Sequence, residues 1–321
     1  MNSFRRKPPR LPVIGLAGFL GLFFALYVAA ASVAEVRVGR EAGGSAFQKI
    51  LTVKDGQFDW IVLGASHALP LAFGDVAKRL EDETGQRMIV LAEVGAGPLF
   101  SDFVLLQAIE DLRPRRLLYI ADSFAFHSSR WNEERIADRK LLRKTPLRLS
   151  TLVTMSNLVI SQDVPASALL DYATVFSKLN PPDRFPQDDW RGAEHFDRVF
   201  RPSRHATKAR IDYLYPEPVD DTKLDRYLDT LEGMIARARV AGMEVAIVRP
   251  PVPEAFRESL PGEAAFDAKL RARLSGLDVP LHDLSATLDD PALYFDTDHL
   301  NRDGVELLYE LHLKSILAAD R

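Results

Sequence analysis

The residues best suited to chemistry in this chain stand at two places far apart in the sequence. Near the C-terminus, Asp296 and His299 lie three positions apart in the segment YFDTDHLN, just before a helical pattern. Far upstream, Ser66 comes two residues after the apolar run WIVLG. A serine hydroxyl attacks a carbonyl group when a histidine takes its proton and a carboxylate orients that histidine. We therefore predict a triad of Ser66 as nucleophile, His299 as base and Asp296 as orienting group.

Other roles for these and neighbouring residues stay open at this level. Asp298 could orient the histidine in place of Asp296, although a residue adjacent to His299 reaches its ring poorly. His67 and Arg249, each next to the end of an apolar run, could contact a substrate. The aspartates and histidines could instead bind a metal, but they fit a triad more simply, and we predict no metal or other cofactor. The least specific interpretation is that they are turn and helix-capping residues.

Acyl transfer also needs hydrogen-bond donors for the oxyanion that forms on the substrate. The glycine-rich turn Gly95-Ala96-Gly97 follows a second apolar run, and backbone N–H groups in such a turn can point at one acceptor. We expect the oxyanion hole to use the N–H of Ser66 and that of Gly97 or Gly95. No asparagine that could add a third donor follows the third apolar run, where Asp122-Ser123 stands.

The elements that must position these residues follow an alternating rhythm. Short apolar runs separated by helical patterns of roughly 10–15 residues are typical of βαβ units and a parallel sheet. The predicted strands are 60–63, 87–92, 116–121, 243–248 and 279–284, and the predicted helices between and after them are 71–84, 100–112, 222–241, 263–274 and 302–318. In such sheets reactive groups gather at the carboxyl ends of the strands, which is where Ser66 and the Asp296 loop fall.

The rhythm is interrupted between about residues 123 and 218. This stretch has helical patterns at 143–160 and 166–179 and a polar segment rich in proline and aromatic residues, and it is too long for a plain connection. We interpret it as an insertion or lid carried by the sheet domain. The aromatic and arginine-rich part from Phe185 to Arg204 could grip a sugar polymer, or it could be an ordinary solvated surface.

Composition excludes some classes of protein. The chain has 321 residues, 47% of them hydrophobic and 27% charged, with a formal charge of -4. That charge is too small to indicate a nucleic-acid partner. There are no cysteines, which excludes disulfides, cysteine-based zinc sites and a cysteine nucleophile.

The N-terminal segment predicts export. Residues Leu11 to Ala34 are uncharged and as a helix would be about 36 Å long, enough to cross a bilayer core. Arg5, Arg6, Lys7 and Arg10 precede them, so we expect the N-terminus in the cytoplasm and the rest outside. A cleavable signal peptide is the alternative, since small residues such as Ala29 to Ala31 offer cleavage sites, but the apolar stretch is long for one.

The three blocks built around Ser66, the glycine turn and the Asp296/His299 pair resemble those of the SGNH (GDSL-like) hydrolase superfamily. The resemblance covers roughly residues 57–122 and 222–318. Its nucleophile block reads GASH here rather than GDS, and the family's Gly-x-Asn-Asp block is missing. It implies an α/β, flavodoxin-like three-layer sandwich with about five parallel strands, joined here to an N-terminal transmembrane helix and a mostly helical insertion.

The anchor and the insertion make the chain most similar to the membrane-anchored branch of that superfamily, which includes proteins of alginate acetylation and teichoic-acid D-alanylation. That branch implies a serine acyl-transferase or esterase acting on a cell-envelope polysaccharide. It also implies an acyl donor and an envelope glycan as partners, and it makes a membrane-bound O-acyltransferase a candidate partner. The expected organisation is a cytoplasmic tail (1–10), a membrane anchor (11–34), a linker (35–56) and a periplasmic or extracellular catalytic domain (57–321). The alternative is a non-catalytic scaffold subunit on the same fold.

Overall fold

The structure of the protein, a computed structural model, describes residues 11–41, 44–53, 56–161, 164–184 and 190–318. The predicted cytoplasmic tail, residues 1–10, lies outside these residues, as do positions 185–189 of the aromatic segment.

A parallel sheet forms the centre of the described chain. Its strands run in the order β2-β1-β3-β4-β5, all parallel, which is the flavodoxin-like order. The strands are β1 (Trp60–Gly64), β2 (Met88–Val90), β3 (Arg116–Ile120), β4 (Glu244–Arg249) and β5 (Leu281–Asp283). The predicted α/β fold with about five parallel strands is therefore confirmed.

Helices account for most of the remaining structure. Before the insertion they are α1 (Leu11–Glu41), α2 (Ala46–Val53), α3 (Val76–Thr84) and α4 (Pro98–Leu112). Within the insertion they are α5 (Glu133–Ile136), α6 (Arg139–Lys144), α7 (Leu149–Ser161), α8 (Ala166–Thr174), α9 (Phe176–Leu179), α10 (Gly192–His195) and α11 (Arg204–Leu214). After it come α12 (Asp221–Val240), α13 (Glu254–Arg257), α14 (Glu263–Leu277), α15 (Arg302–Leu308) and α16 (Lys314–Ala318), the last two joined by the π-helical stretch Tyr309–Leu313.

The sheet is buried on both faces, so the molecule has three layers. Along β1, Ile61 and Leu63 face one apolar cluster and Trp60 and Val62 face the other. The first cluster packs under α2, α4, α12 and α14, and the second under α3 and the C-terminal helices. Burial on both faces explains why the strands read as continuous apolar runs rather than as alternating ones.

Several predicted elements differ from the structure. The helix predicted at 166–179 is divided at Val175 into α8 and α9, and α7 begins at Leu149, later than the helix predicted at 143–160. The helix predicted at 71–84 is divided into a 3₁₀ segment, Ser66–Ala72, and α3, because Pro70, the turn at Gly74 and the cap at Asp75 separate them. The predicted linker 35–56 contains the end of α1 and the whole of α2. Ala46, Phe47 and Ile50 of α2 are buried against the core, so this segment is part of the folded domain and not a free tether.

Among the described residues, one helical segment is long and apolar enough to cross a membrane. It is the part of α1 from Gly15 to Arg40, and a signal sequence near an N-terminus has the same properties. Its C-terminal half packs against the domain, with Ala34 and Val38 buried.

Candidate active site

Ser66 lies at the carboxyl end of β1, in the first residue of a 3₁₀ segment. The strand can end there because Gly64 adopts a φ of 141°, and a Cβ on it would lie 2.7 Å from the Ile120 carbonyl oxygen of β3. Ser66 is only 3% exposed, and it lines a cleft of about 510 Å³. The nucleophile that the sequence predicts therefore lies at the wall of a cavity that could hold a substrate.

His299 sits on a tight loop between β5 and α15. An isolated antiparallel bridge joins Tyr294 to Leu300, and the Phe295 N–H donates to the His299 carbonyl at 2.9 Å. Asn301 then caps α15 by accepting from the Gly304 N–H at 3.0 Å. The loop is thus held at both ends, which fixes the position of the imidazole.

Asp296 holds the imidazole of His299 in one orientation. Both of its carboxylate oxygens lie 2.9 Å from His299 Nδ1, and Oδ1 also accepts from the His299 N–H at 2.8 Å. Asp298 is farther away, with 3.7 Å between its Oδ1 and Nδ1. The geometry therefore favours Asp296 over Asp298 as the orienting carboxylate.

The second nitrogen of this ring, Nε2, is buried and has no hydrogen-bond partner among the described residues. It is consequently not bonded to Ser66 Oγ in this structure. The ring itself lies among three others: it stacks on Phe295 with an interplanar angle of 8° and lies 4.9 Å from the ring of His67 and 5.3 Å from Trp190, measured between centroids. Trp190 lines the same cleft as Ser66, so His299 lies behind a side chain of the cleft wall, although it does not line the cavity itself.

His67 is buried and bonded to protein carboxylates, whereas its position beside Ser66 suggested a contact with substrate. Its side chain is 5% exposed, Nδ1 lies 2.5 Å from Asp122 Oδ1, and Nε2 lies 3.0 Å from Asp298 Oδ2. Burial by itself lowers the pKa of His67, but the charge of Asp122 and the hydrogen bonds to Asp122 and Asp298 outweigh it and raise the pKa to about 10. His67 is thus an imidazolium held between two carboxylates, and a substrate contact would have to break one of these bonds.

Asp298 is the meeting point of this buried network. Arg210 donates to both of its oxygens, at 2.8 to 3.0 Å, and the Thr297 hydroxyl donates to Oδ1 at 2.6 Å. Burial raises the pKa of the Asp298 carboxyl, but the neighbouring charges, that of Arg210 first, hold it well below its ordinary value. Asp298 is therefore an ionised partner for His67 and Arg210 rather than a free acid.

Arg249, the second predicted substrate contact, does not line the cleft. Its guanidinium forms ion pairs with Glu263, with Asp267 at 2.7 Å and with Asp283 at 3.4 Å, and the residue is 6% exposed. Three carboxylates thus surround the charge that we expected a substrate to meet, which corrects that expectation.

The glycine turn also departs from expectation at one position. The Gly97 N–H donates to the Trp131 carbonyl at 2.6 Å, so it is not presented to a substrate. Gly95 does line the cleft; it has a φ of 65°, and a Cβ on it would lie 2.6 Å from the Trp131 ring. The N–H groups of Ser66 and Gly95 do not donate to another backbone group in the described chain, so these two remain candidate oxyanion donors.

The insertion supplies much of the cleft wall, in keeping with its interpretation as an insertion or lid, but the sequence did not indicate which of its residues would do so. Besides Ser66 and Gly95, the lining residues are Val94, Phe124, Trp131, Trp190, Ala209, Arg210, Tyr213 and Leu214. Arg210 could not be found from the sequence, because its partner Asp298 lies 88 residues away. Trp190 falls in the aromatic segment that the sequence singled out, which was the available signal.

Among the described residues, His67, Asp298 and His299 have ligand atoms within 4.8 Å of one another. A metal ion there would have to displace the hydrogen bonds that both His67 nitrogens already make. The side chains present therefore fit a charge network better than a metal centre.

Two solved structures are similar to this chain over most of its length. A Bacteroides fragilis protein described as an acylhydrolase aligns with a TM-score of 0.42 and 12% identity, covering 84% of this chain and 93% of the other. A GDSL-like lipase from Bacteroides thetaiotaomicron aligns with a TM-score of 0.40 and 10% identity, covering 84% and 96%. No family model and no curated protein matches the sequence. At TM-scores below 0.5, neither likeness tells what this chain acts on.

Proposed function

We propose that this chain is an exported, membrane-anchored serine acyl-transferase or esterase that acts on a cell-envelope polysaccharide. Ser66 is its nucleophile, His299 its general base and then acid, and Asp296 the group that orients His299. The acceptor of the acyl group is a sugar hydroxyl in transfer or water in hydrolysis.

One observation carries the proposal: a buried imidazole has one nitrogen fixed by a carboxylate and the other without a partner, beside a cleft lined by a strand-end serine. A buried nitrogen without a hydrogen bond is costly in a folded protein, so it is expected to serve a purpose. A base needs this unpaired nitrogen to accept a proton. The Ser66–His299 hydrogen bond is unmade here, but such bonds commonly form only when a substrate is bound.

The proposed reaction has two steps. Ser66 Oγ attacks the carbonyl carbon of the acyl donor while its proton passes to His299 Nε2; the donor's leaving group then departs with that proton, and an acyl-Ser66 ester remains. In the second step an acceptor hydroxyl gives its proton to His299 Nε2 and attacks the ester, and the proton returns to Ser66 Oγ. Asp296 stabilises the imidazolium in both steps, and the N–H groups of Ser66 and Gly95 are placed to bind the oxyanion.

The aromatic cleft supports a sugar as one substrate. Trp131, Trp190 and Tyr213 line the cavity, and large rigid rings of this kind can give a sugar both apolar contact and hydrogen-bonding edges. The contact between α1 and the domain supports an anchored protein, because an anchor that is removed has no need to pack.

A fluorophosphonate probe tests the catalytic proposal, since it reacts only with an activated serine. We expect the full-length protein to be labelled at Ser66, and Ser66→Ala to abolish labelling and any turnover of an acyl ester. Asp296→Asn should slow labelling by about 10³-fold to 10⁴-fold, because the imidazole loses its orienting charge. Ser101→Ala is the matched control, since Ser101 is about as buried as Ser66 (2% against 3% exposed) and does not line the cleft.

A second candidate is a non-catalytic scaffold subunit on the same fold. Two observations favour it: the unmade Ser66–His299 bond, and the loss of the Gly97 N–H as an oxyanion donor. Absence of labelling, together with a Ser66→Ala strain that modifies its envelope normally, would establish the scaffold and end the catalytic proposal.

A further inference from the structure

Helix α7 has an unusual surface. Its 13 residues, LSTLVTMSNLVIS, contain no charged side chain. Thr151 and Met155 are buried on its inner side, but Leu149, Val153 and Ile160 are 78%, 52% and 83% exposed. Successive helical residues are 100° apart, so these three lie within about 40° of one another and form one apolar stripe, which we call the α7 face. An uncharged helix with an exposed apolar stripe is poorly suited to water.

Further exposed apolar side chains lie on neighbouring segments of the insertion, and we call these together with the α7 face the apolar patch. Leu147 precedes α7 and is 44% exposed, Leu170 of α8 is 63% exposed, and Phe176 at the start of α9 is 40% exposed. All of them belong to the same part of the insertion, in which α7 packs on α8 and α8 on α9. The patch is therefore a property of several helices and not of one side chain.

This patch lies beside the candidate membrane helix. The Glu35 carboxylate of α1 accepts from the Leu147 N–H at 2.8 Å and from the Lys178 ammonium at 2.5 Å. The Tyr27 hydroxyl donates to the Thr174 carbonyl at the end of α8. Hydrogen bonds thus hold the residues just before α7 and the end of α8 against α1.

The positions of these bonds along α1 set the level of the patch. Glu35 is the first charged residue after the apolar stretch that begins at Leu11, so it marks where α1 leaves the bilayer core. Tyr27 lies eight residues earlier, which is about 12 Å along a helix. Leu147 is bonded at the level of Glu35, at the outer interface, and Thr174 is bonded at the level of Tyr27, nearer the bilayer core. This part of the insertion therefore extends from the outer interface toward the bilayer core.

We propose that the α7 face and the apolar side chains around it lie in the outer leaflet of the bilayer that α1 crosses, as a second, monotopic contact with lipid. At 13 residues α7 is about 20 Å long, too short to span a core of about 30 Å but suited to lying at its surface. Its lack of charge matches the acyl-chain region rather than a charged protein partner. This inference rests on the proposed membrane anchor.

A second contact has a consequence for the site. With α1 as the single contact with lipid, α1 and the domain packed on it could tilt together in the bilayer, whereas contacts at both α1 and α7 fix that tilt. The insertion leaves the sheet at the carboxyl end of β3, the same edge that carries Ser66, and its residues Tyr213 and Leu214 line the cleft. The lipid contact therefore holds the cleft at a constant height above the membrane.

Single cysteines provide the test, because the chain has none of its own. Leu149→Cys and Ile160→Cys are each labelled with an environment-sensitive fluorophore, and the full-length protein is reconstituted into vesicles of phosphatidylcholine and phosphatidylglycerol. Leu20→Cys in α1 reports the anchor. Val240→Cys on α12, 91% exposed, is the matched control for an exposed apolar site away from the patch.

We expect doxyl-labelled lipids to quench most of the fluorescence at positions 149, 160 and 20 and to leave that at position 240 unchanged. Iodide, a quencher dissolved in water, should quench the fluorophore at position 240 and not those at the other three positions. Lipid quenching at position 20 but not at positions 149 and 160 would overturn the α7 proposal alone. It would indicate that the α7 face binds an integral membrane protein instead of lipid. No lipid quenching at position 20 would overturn the anchor and this inference together. Fluorophosphonate labelling of Ser66 depends on neither result and is scored separately.

Discussion

At the scale of single residues, His67 joins three segments that the sequence keeps far apart. It follows Ser66 directly, and it binds Asp122 after β3 and Asp298 beside His299. The imidazolium therefore connects the turn that carries the proposed nucleophile, Ser66, to the loop that carries the proposed base, His299. We interpret His67 as a positioning residue, since both of its nitrogens are occupied by protein groups.

His67→Gln tests this interpretation through the pH dependence of stability. The folded-state pKa of His67 is raised to about 10, above its ordinary value near 6.5, so its contribution is fully present below pH 6.5 and is lost as the pH rises through 10. At pH 7 we expect the variant to lower the free energy of unfolding by roughly 3 kcal/mol, because a buried carboxylate loses its charged partner.

The measurement is urea unfolding of both proteins between pH 6 and pH 10.5, with the exposed His205→Gln as control. The difference between wild type and His67→Gln should shrink toward high pH, while His205→Gln should follow the wild type throughout. A difference that stays constant with pH would contradict a buried imidazolium.

At the scale of elements, α2 decides where the folded domain begins. The polar and glycine-containing sequence before it predicted a linker, yet Ile50 is completely buried in the cluster that also contains Phe100 and Phe103. An eight-residue helix is not stable alone in water. Its apolar side is formed by Ala46, Phe47 and Ile50, and packing of that side on α4 holds it.

Ile50→Ala measures that packing. Truncation of a fully buried isoleucine should lower the free energy of unfolding by about 2–5 kcal/mol, because it removes apolar contacts and leaves a cavity. Thr52→Ala, on the exposed side of the same helix, should change it by less than about 0.5 kcal/mol. Equal and negligible effects in urea unfolding would restore the linker interpretation.

The loop from Tyr294 to Asn301 shows the opposite case, because most of its geometry depends on contacts between residues close together in the sequence. The Asp296–His299 contact spans three residues, and the cap at Asn301 follows a local rule. Both depend on neighbours in the chain, and so they could be anticipated without knowledge of the rest of the fold.

At the scale of the whole molecule, α1 is the element that relates the domain to a membrane in the proposed function, because it is long and apolar enough to cross one. Cleavage after Ala31 or Ala34, as in a signal peptide, would separate Tyr27 from its bond to Thr174 and expose the surface that Ala34 covers. The structure thus gives the helix contacts that a discarded leader would not need.

We therefore expect the mature protein to retain α1. Intact-mass measurement of protein purified from membranes should give the full-length chain, and extraction with alkaline carbonate should leave it in the membrane pellet. A mass that lacks roughly the first 34 residues, with the protein in the soluble fraction, would show a cleaved leader.

The sequence by itself determined what depends on local order: the alternation of strands and helices, the long apolar N-terminal helix, and the Asp296–His299 pair on one loop. Only the tertiary structure decided what His67, Arg249 and the Gly97 N–H bind. Their partners lie tens to hundreds of residues away or belong to the insertion, whose packing no local periodicity encodes. A side chain's type states which bonds it can make, but burial and long-range contacts determine which of those bonds remain for a substrate.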